Sequence, residues 1–250
     1  MPPIIRIDHL THRYPDGTLG VDDITLSIDE GAFVVIAGAN GSGKTSLLRH
    51  LNGLLLPTSG SVQVAGVPVG ENPRQARLLV GMVFQDADSQ IVGETVAEDV
   101  AFGPENLKLD REEIGRRTIA ALAAVGLAHL SEKRPHLLSG GEKRRLAIAG
   151  VIAMQPRVIV FDEPFSNLDY AGVREVLAQM VALHRAGRTV LLTTHDLGKV
   201  AAHADRLLLM QAGRIVCDGR PHEAIGRAEA FGVRTPRAAA LGVEALSWLS

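Results

Sequence analysis

The sequence predicts an α/β fold in which helices cover a largely parallel sheet, with a β-rich segment before it and a helical segment inserted into it. Short apolar runs of strand length, such as 33–37, 158–161 and 189–194, alternate with helical patterns, as in open parallel sheets. Residues 4–30 instead alternate apolar and polar side chains around a Pro-Asp-Gly turn, which predicts antiparallel strands. Residues 88–138 carry helix start signals, which predict a helical insertion.

Composition places the chain among ordinary globular proteins. It has 250 residues, of which 46% are hydrophobic and 22% charged, enough for one large domain or a domain with a subdomain. The net charge of -2 provides no general attraction to nucleic acid, and we expect no nucleic-acid partner. The single cysteine, Cys217, predicts a small strand residue in a reducing compartment. No apolar stretch reaches membrane-spanning length, so other subunits would have to supply any spans.

A glycine-rich turn follows the first strongly apolar strand. Residues 38–45 read Gly-Ala-Asn-Gly-Ser-Gly-Lys-Thr and lead into a helical pattern. Glycines there let backbone N–H groups converge on a triphosphate at the positive end of the helix. Lys44 would reach the outer phosphates, and Thr45 would offer its hydroxyl to Mg²⁺. The residues predicted to bind the nucleotide here are Asn40, Gly41, Ser42, Gly43, Lys44, Thr45 and Ser46.

Two polar residues near this turn allow two interpretations each. Tyr14, just before the Pro-Asp-Gly turn, is either a half-buried strand residue or a ring that stacks on the nucleotide base. Gln85, at the end of the strand over 80–84, is either a solvated loop residue or a group that ligates Mg²⁺ and orients a water.

A second anion-binding device begins at Ser139. Ser139 and Glu142 form a capping-box pattern for a helix that should run to about Met154. Gly140 and Gly141 are costly at the start of a helix, yet they leave N–H groups accessible to an anion. One molecule has no need of two such devices, whereas two molecules could clamp one phosphate from both sides.

Acids follow the apolar run 158–161, where ligands bind in open α/β sheets. Asp162 is predicted to hold Mg²⁺, through water, and Glu163 to polarise the water that attacks the terminal phosphate. His195 follows the strand over 189–194 and is either a structural histidine or a donor to that phosphate. Asp169 is expected to be the N-cap of the next helix.

Remaining signals concern the helical segment and the tail. Gly103-Pro104 and Gly126 are expected to end helices, and a stripe formed by Ile119, Leu122 and Val125 is expected in the core. Segment 86–106 mixes Gln90, Ile91, Val92, Phe102 and Glu105 around turns, as a surface that docks another protein would. Residues 221–250 should form a short helical tail, with Trp248 and Leu249 packed on the core.

Together these motifs resemble the ATP-binding subunits of ABC transporters, over roughly residues 4–225. The motifs appear in the order that is typical of that family: Tyr14, the loop 38–45, Gln85, Ser139-Gly140-Gly141, Asp162-Glu163, Asp169 and His195. The resemblance implies a P-loop NTPase (RecA-like) core that uses ATP and Mg²⁺. It also implies that two subunits meet head to tail, each ATP lying between one loop 38–45 and the partner's Ser139 turn.

Three segments narrow the resemblance to the ATPases of energy-coupling factor transporters, which import vitamins or cobalt and nickel ions. They are 84–90, 96–106 and 141–150. The resemblance implies that a transmembrane scaffold subunit docks near Gln85–Gln90, and that a substrate-binding membrane subunit is reached indirectly. Glu142 in place of glutamine and Ala87 in place of proline depart from the usual pattern.

The prediction is therefore an ATPase that drives an importer from the cytoplasmic face of the membrane through ATP-driven dimer closure. A pair of identical subunits is favoured because every catalytic element is present in this chain, and a pair with a similar ATPase is the alternative. The predicted organisation is a core of 1–87 and 139–225, a helical subdomain of 88–138 and a tail of 226–250. The competing functions are a soluble ABC-type ATPase outside transport and a non-catalytic nucleotide-binding regulator.

Overall fold

The computed structural model describes residues 2–236, 239 and 242–249. The strands in this part of the chain are β1 (Ile5–Arg13), β2 (Leu19–Ile28), β3 (Phe33–Ala37), β4 (Ser59–Val64), β5 (Val67–Pro68), β6 (Val80–Val83), β7 (Val158–Asp162), β8 (Thr189–Thr194), β9 (Arg206–Gln211) and β10 (Arg214–Gly219). The helices are α1 (Lys44–Leu51), α2 (Pro73–Leu79), α3 (Val96–Asn106), α4 (Arg111–Ala124), α5 (Gly140–Ala153), α6 (Tyr170–Arg185) and α7 (Pro221–Ala224). No helix among them is long and apolar enough to cross a membrane.

The strands form two sheets, which confirms the predicted α/β fold class. The larger sheet has the order β10-β9-β3-β8-β7-β6, and all of its strands are parallel except β10. The smaller sheet, β2-β1-β4-β5, is antiparallel and contains the strands expected over residues 4–30. Because β3, β7 and β8 are adjacent and parallel, their carboxyl ends meet at one edge, where ligands bind in this class of fold.

Both faces of the larger sheet are buried. Val34 and Ile36 of β3 face one core, which the smaller sheet and α1 complete. Phe33 and Val35 face the other core, which contains side chains from α5 and α6. This burial explains the nearly continuous apolar strands of the sequence, since a strand covered on both sides has no polar face. Cys217 lies buried in β10, as predicted for a small strand residue.

Helices occupy the segment 88–138, but two predictions about it are wrong. Gly103-Pro104 does not end α3, because the helix continues to Asn106 and the N–H of Leu107 still donates to the carbonyl of Gly103. Proline removes one helical N–H donor and crowds the carbonyl four residues earlier, yet α3 continues for two residues beyond Pro104. Gly126 does follow the end of α4 and has a φ of 71°, as a helix-ending glycine should.

Ile119 also departs from the prediction of an apolar core stripe. Its side chain is 70% exposed, whereas Leu122 and Val125 are buried in the core. The buried face of α4 is formed by Thr118, Ala121 and Leu122, and Ile119 lies outside that face. In the described part of the tail after α7, 3-10 turns span Ile225–Phe231 and Val243–Leu246, and Trp248 and Leu249 pack against the core as expected.

Candidate functional site

A cavity of about 500 Å³ opens where the loop after β3 meets the carboxyl ends of β7 and β8. It is lined by Tyr14, Thr18, Leu19, Gly20, Asn40, Gly41, Ser42, Gly43, Lys44, Thr45, Ser46, Gln85, Glu163 and His195. The fold thus brings all seven loop residues predicted to bind nucleotide to one surface. It also brings Tyr14, Gln85, Glu163 and His195 to the same surface from distant parts of the chain.

The loop after β3 has the geometry of an anion cradle. Gly43 has a φ of 100°, and a Cβ atom there would lie 2.4 Å from the carbonyl oxygen of Gly20, so only glycine fits. Helix α1 follows at once, and the N–H groups of Lys44, Thr45 and Ser46 meet no acceptor in the described part of the chain. The Ser42 hydroxyl is likewise buried without a partner among the described residues. These donors, together with the helix end, suit a phosphate.

Lys44 is held at the floor of this cradle. Its Nζ donates to the carbonyl oxygens of Gly38 at 2.8 Å and Ala39 at 3.1 Å, and it lies 3.4 Å from Glu163 Oε1. The side chain is 6% exposed, so its charge interacts with the adjacent carboxylate in a largely desolvated setting. The lysine therefore joins the phosphate loop to the acid at the end of β7.

Asp162 lies beneath the cavity, not on its surface. It is 3% exposed, and its Oδ1 accepts hydrogen bonds from the hydroxyls of Thr45 at 2.9 Å and Thr193 at 2.7 Å. Thr45 is therefore held by one of its two predicted co-ligands. Hydroxyl and carboxylate oxygens side by side match the ligand preference of Mg²⁺.

Glu163 has an unusual backbone conformation and lies beside His195. Its φ of 45° lies in the left-handed region, which costs free energy for a non-glycine residue. Its N–H donates to Thr193 Oγ1 at 3.0 Å, and its Oε2 lies 2.9 Å from His195 Nδ1. Its Oε1 is buried without a hydrogen bond in the described structure. One carboxylate oxygen is thus occupied by the histidine, and the other is unengaged except for the nearby ammonium of Lys44.

Gln85 reaches the cavity from the end of β6, held by an arginine of α5. The Arg144 guanidinium donates to the carbonyl oxygens of Phe84 and Gln85, the latter at 2.5 Å. Burial lowers the pKa of Arg144, whose side chain is almost fully enclosed. The side chain of Gln90 also serves this segment, since it donates to the carbonyl of Met82 and accepts from the N–H of Phe84. Helix α5 and the Gln85 segment are therefore joined by direct hydrogen bonds.

Tyr14 combines features of its two interpretations. It is half-buried at the end of β1, and its hydroxyl is 2.8 Å from Ser46 Oγ, yet its ring also lines the cavity. The N–H of Tyr14 bonds the carbonyl of Thr18 and folds the turn back, which places residues 18–20 beside it. Sequence reasoning missed these three lining residues, although the Pro-Asp-Gly turn could have shown that they double back towards Tyr14.

The Ser139 turn lies away from the cavity. Ser139 and Glu142 form the predicted capping box, and Asp169 caps α6 through the N–H of Gly172, as expected. None of Ser139, Gly140, Gly141 and Glu142 is among the residues that line the cavity. Ser139 and Gly140 are exposed. The N–H of Ser139 donates to the Glu142 carboxylate, which lowers the pKa of Glu142.

Comparison with known proteins places this architecture in a family. Residues 21–166 match the family model described as ABC transporter. The chain is 42% identical over 244 residues to the energy-coupling factor transporter ATP-binding protein EcfA of Methanocaldococcus jannaschii, covering 95% of this chain and 88% of the relative. It is 44% identical over 222 residues to the cobalt import ATP-binding protein CbiO of Rhodobacter capsulatus, covering 88% and 79%.

The chain belongs to the ABC transporter family. Its similarity to the EcfA and CbiO proteins identifies it as an ATPase subunit of the energy-coupling factor type. CbiO1 of Clostridium perfringens, part of the ABC transporter complex cbiONQ, has a similar structure, with a TM-score of 0.84 and 35% identity over 96% of this chain and 99% of that one. The ATP-binding cassette MJ0796, solved as a dimer bound to ADP and Pi, gives a TM-score of 0.78 and 28% identity over 87% and 98%.

The sequence analysis missed one residue of this ATPase subunit, Thr193, which contacts both acids. Thr193 donates to Asp162 and accepts from the N–H of Glu163. The only sequence signal was a polar residue within the apolar run of β8. The sequence does not show which side chains lie next to a buried threonine, so its hydrogen-bond partners could not be predicted.

Proposed function

We propose that this subunit binds Mg-ATP in the cavity and hydrolyses it to drive an importer of a vitamin or of cobalt or nickel ions. The observation that carries the proposal is the convergence of Lys44, Glu163 and His195 on one cavity while the Ser139 turn lies outside it. The chain thus presents a phosphate cradle and a base at one surface, and an anion-binding helix start at another.

Within one chain, the proposed roles follow from the contacts. The loop residues Asn40 to Ser46, with Lys44, hold the phosphates, and Tyr14 lies where the base would stack. Mg²⁺ bound by Thr45, Gln85 and Asp162 would offset charge on the phosphate oxygens. Glu163 accepts a proton from the attacking water through Oε1, which no hydrogen bond in the described structure occupies. His195, bonded to Oε2, orients that carboxylate and faces the cavity beside the outer phosphate.

Two chains are proposed to complete each site. Ser139, Gly140, Gly141 and Glu142 of one subunit would cover the nucleotide held by the loop of the other, and the dimeric form of MJ0796 supports such a pairing. Identical subunits are favoured because one chain carries both halves, and a pair with a similar ATPase remains the alternative.

A mixing experiment tests the shared site. Lys44→Ala removes the phosphate contact, and Ser139→Asp keeps a good helix cap while it sets a negative charge towards the partner's phosphate. Each variant alone should be inactive. An equimolar mixture should recover about a quarter of wild-type ATPase activity, because half of the random dimers are mixed and each holds one intact site. Ser139→Asn, which keeps the cap without the charge, is the matched control, and a mixture that stays inactive would contradict the shared site.

Transport is proposed through docking near Gln85–Gln90. A groove of about 450 Å³ adjoins this segment, lined by Asp88, Ile91, Gly93, Glu94, Arg134, Pro135 and His136, and Val92 and Phe102 are exposed nearby. A transmembrane scaffold subunit seated there would hold the ATPase peripherally at the cytoplasmic face and reach a substrate-binding membrane subunit indirectly. We assign residues 1–87 and 139–225 to the nucleotide-binding core, 88–138 to the helical subdomain and 226–250 to the tail.

Co-purification tests this assignment against a soluble ABC-type ATPase. The tagged chain, expressed in its own host and extracted in detergent, should retain small integral membrane proteins. Val92→Asp and Phe102→Asp should release them without lowering basal ATPase activity, whereas Ile119→Asp, an exposed apolar residue on α4, should leave them bound. Recovery of the wild-type chain alone would argue against the transport role.

A further inference from the structure

Behind Tyr14, a pair of histidines connects β1 with α1. His12 lies near the end of β1 and Tyr14 directly follows that strand, and their rings meet edge to face with centroids 4.7 Å apart. His50 of α1 packs against His12 with a centroid distance of 4.8 Å. The Tyr14 hydroxyl bonds Ser46 Oγ, one turn before His50, so the cluster closes on itself at the edge of the cavity.

Both imidazole rings are fixed in one tautomer by backbone carbonyls. His12 Nδ1 donates to the carbonyl of Leu56 at 2.9 Å, and His50 Nδ1 donates to the carbonyl of Ser46 at 2.7 Å. Each Nε2 is therefore a bare acceptor in the neutral ring. Both Nε2 atoms are buried and lack a hydrogen-bond partner among the described residues. A second proton on either ring would place a charge there with nothing to accept it.

Among the residues that the structure describes, no carboxylate bonds either histidine to offset such a charge. Strand β2 presents Val21 opposite His12, and the neighbouring acids are engaged elsewhere, Asp22 with Arg214 and Asp23 with His9. The loop from 54 to 58 carries no charged residue. The remaining titratable or charged groups on β1, on α1 and in the cluster are the Tyr14 phenol, Arg6, which pairs with Asp8, Arg13, which donates to the carbonyl of Gly17, the exposed Arg49, and Lys44, whose Nζ lies 3.4 Å from Glu163 Oε1.

We propose that His12 and His50 are positioning residues that hold the Tyr14 ring at the nucleotide cavity, and that they do so only while the buried His50 imidazole is neutral. The inference rests on the proposed nucleotide site. The other side of the ring is fixed as well, because a Cβ atom at Gly20 would lie 2.7 Å from the ring of Tyr14. The ring is thus set by His12, by Gly20 and by its bond to Ser46.

The sign of the pH effect follows from the burial. Burial and, to a smaller extent, the neighbouring His12 lower the pKa of His50. A lowered pKa means that the assembled cluster excludes a proton that a released ring would bind near pH 6.5. Tyr14 is therefore held fully above this value and is released as the pH falls below it. Nucleotide affinity linked to one such proton falls by up to about tenfold per pH unit.

Calorimetric titration of the full chain from pH 8 to pH 5.5 tests the inference, with ADP and Mg²⁺ as one ligand and pyrophosphate and Mg²⁺ as the other. ADP contains a base and is not hydrolysed, whereas pyrophosphate reaches only the phosphate cradle. The wild type should lose ADP affinity as the pH falls by roughly threefold or more beyond any loss for pyrophosphate. His50→Gln, which removes the imidazole and keeps a side-chain N–H that can donate to the Ser46 carbonyl, should reduce that excess loss. His12→Ala should weaken ADP binding severalfold at pH 8 and leave pyrophosphate binding unchanged.

His9→Asn is the matched control, since His9 is an exposed histidine of the same strand and asparagine tolerates its positive φ. It should show the wild-type profile. The inference is overturned if His50→Gln keeps the full excess loss, or if folded His12→Ala binds ADP as tightly as the wild type at pH 8. If either of these variants fails to fold, the other alone decides. A wild-type chain that binds no ADP at pH 8 would instead refute the proposed nucleotide site.

Discussion

Thr193 sits between the two acids at the end of β7 and serves both. Its hydroxyl donates to Asp162 while it accepts the N–H of Glu163, whose backbone is in the left-handed region. The same oxygen thus orients the carboxylate next to Thr45 and holds the turn that aims Glu163 at the cavity. A group that orients others in this way affects activity without touching the nucleotide.

Thr193→Val should lower kcat by roughly tenfold, because valine keeps the volume and removes both hydrogen bonds. Steady-state ATPase assays measure this. Thr189→Val, at the other end of β8, removes an equally buried hydroxyl that bonds the N–H of Gly31, far from the cavity. Its kcat should stay within about twofold of the wild type. Equal losses of kcat in the two variants would show that Thr193 acts only through stability.

Glu163→Gln should reduce ATP hydrolysis by roughly 10²-fold or more, because an amide cannot accept the proton of the attacking water. ATP binding should persist, since Lys44 keeps its contacts to Gly38 and Ala39. Single-turnover hydrolysis and equilibrium binding separate the two effects. Glu175→Gln, which removes an exposed carboxylate that pairs with Arg145, is the control. Near-normal turnover in Glu163→Gln would remove Glu163 as the base.

At the level of elements, α5 connects the two ends of the proposed shared site. Its first turn is the Ser139 turn, and one turn further along the Arg144 guanidinium donates hydrogen bonds to the carbonyls of Phe84 and Gln85. Lys143 adds an ion pair with Asp88 at 2.6 Å, near the proposed docking surface. A displacement of α5 on closure over the partner's nucleotide would therefore move the Gln85 segment with it.

Glu142 stabilises the start of α5 in a pH-dependent way. The pKa of Glu142 is lowered because the N–H of Ser139 donates to its carboxylate, so its contribution is present above 4.5, the ordinary value, and is lost as the pH falls below that. Glu142→Ala should lower the free energy of unfolding by about 1 kcal/mol at pH 7, and the difference should shrink near pH 3.5. Urea denaturation at both pH values measures it. Glu142→Gln retains an acceptor and should lose less, and a gap that does not narrow in acid would contradict the role of the charge.

For the whole molecule, the separation of the cavity from the Ser139 turn determines how the protein should assemble. The two surfaces lie on one chain, and Ser139 and Gly140 are exposed. Two copies arranged head to tail can satisfy both surfaces twice, which is the closed symmetry expected of a dimer.

ATP should therefore convert the Glu163→Gln chain from monomer to dimer, since hydrolysis no longer reverses closure. Light scattering with and without Mg-ATP measures the mass. Adding Ser139→Asp to this variant should abolish the dimer, while ATP binding to the single chain persists. Adding Ser139→Asn instead should leave the dimer intact. A Glu163→Gln chain that stays monomeric at saturating ATP would argue against ATP-driven closure.

Much of the fold and of the candidate site could be predicted because their signals are local. Residues 38–45 lie between a strand and a helix, and strand ends such as Asp162 and His195 follow apolar runs. The exposure of Ile119 and the continuation of α3 through Pro104 could not be predicted in this way, because packing with the rest of the chain decides both. The roles of the site residues and the limits of the helical subdomain remain predictions.

The sequence by itself determined that this chain is an α/β protein with a phosphate loop, two acids after a buried strand and a second helix start suited to an anion. Those features depend on residue type and spacing along a short stretch. Only the tertiary structure decided that Thr193 hydrogen-bonds both acids and that Arg144 donates to the carbonyl of Gln85. It also decided that the Nε2 atoms of His12 and His50 are buried without a hydrogen-bond partner among the described residues. These contacts join side chains far apart in sequence, and their geometry exists only once the sheets and helices have packed.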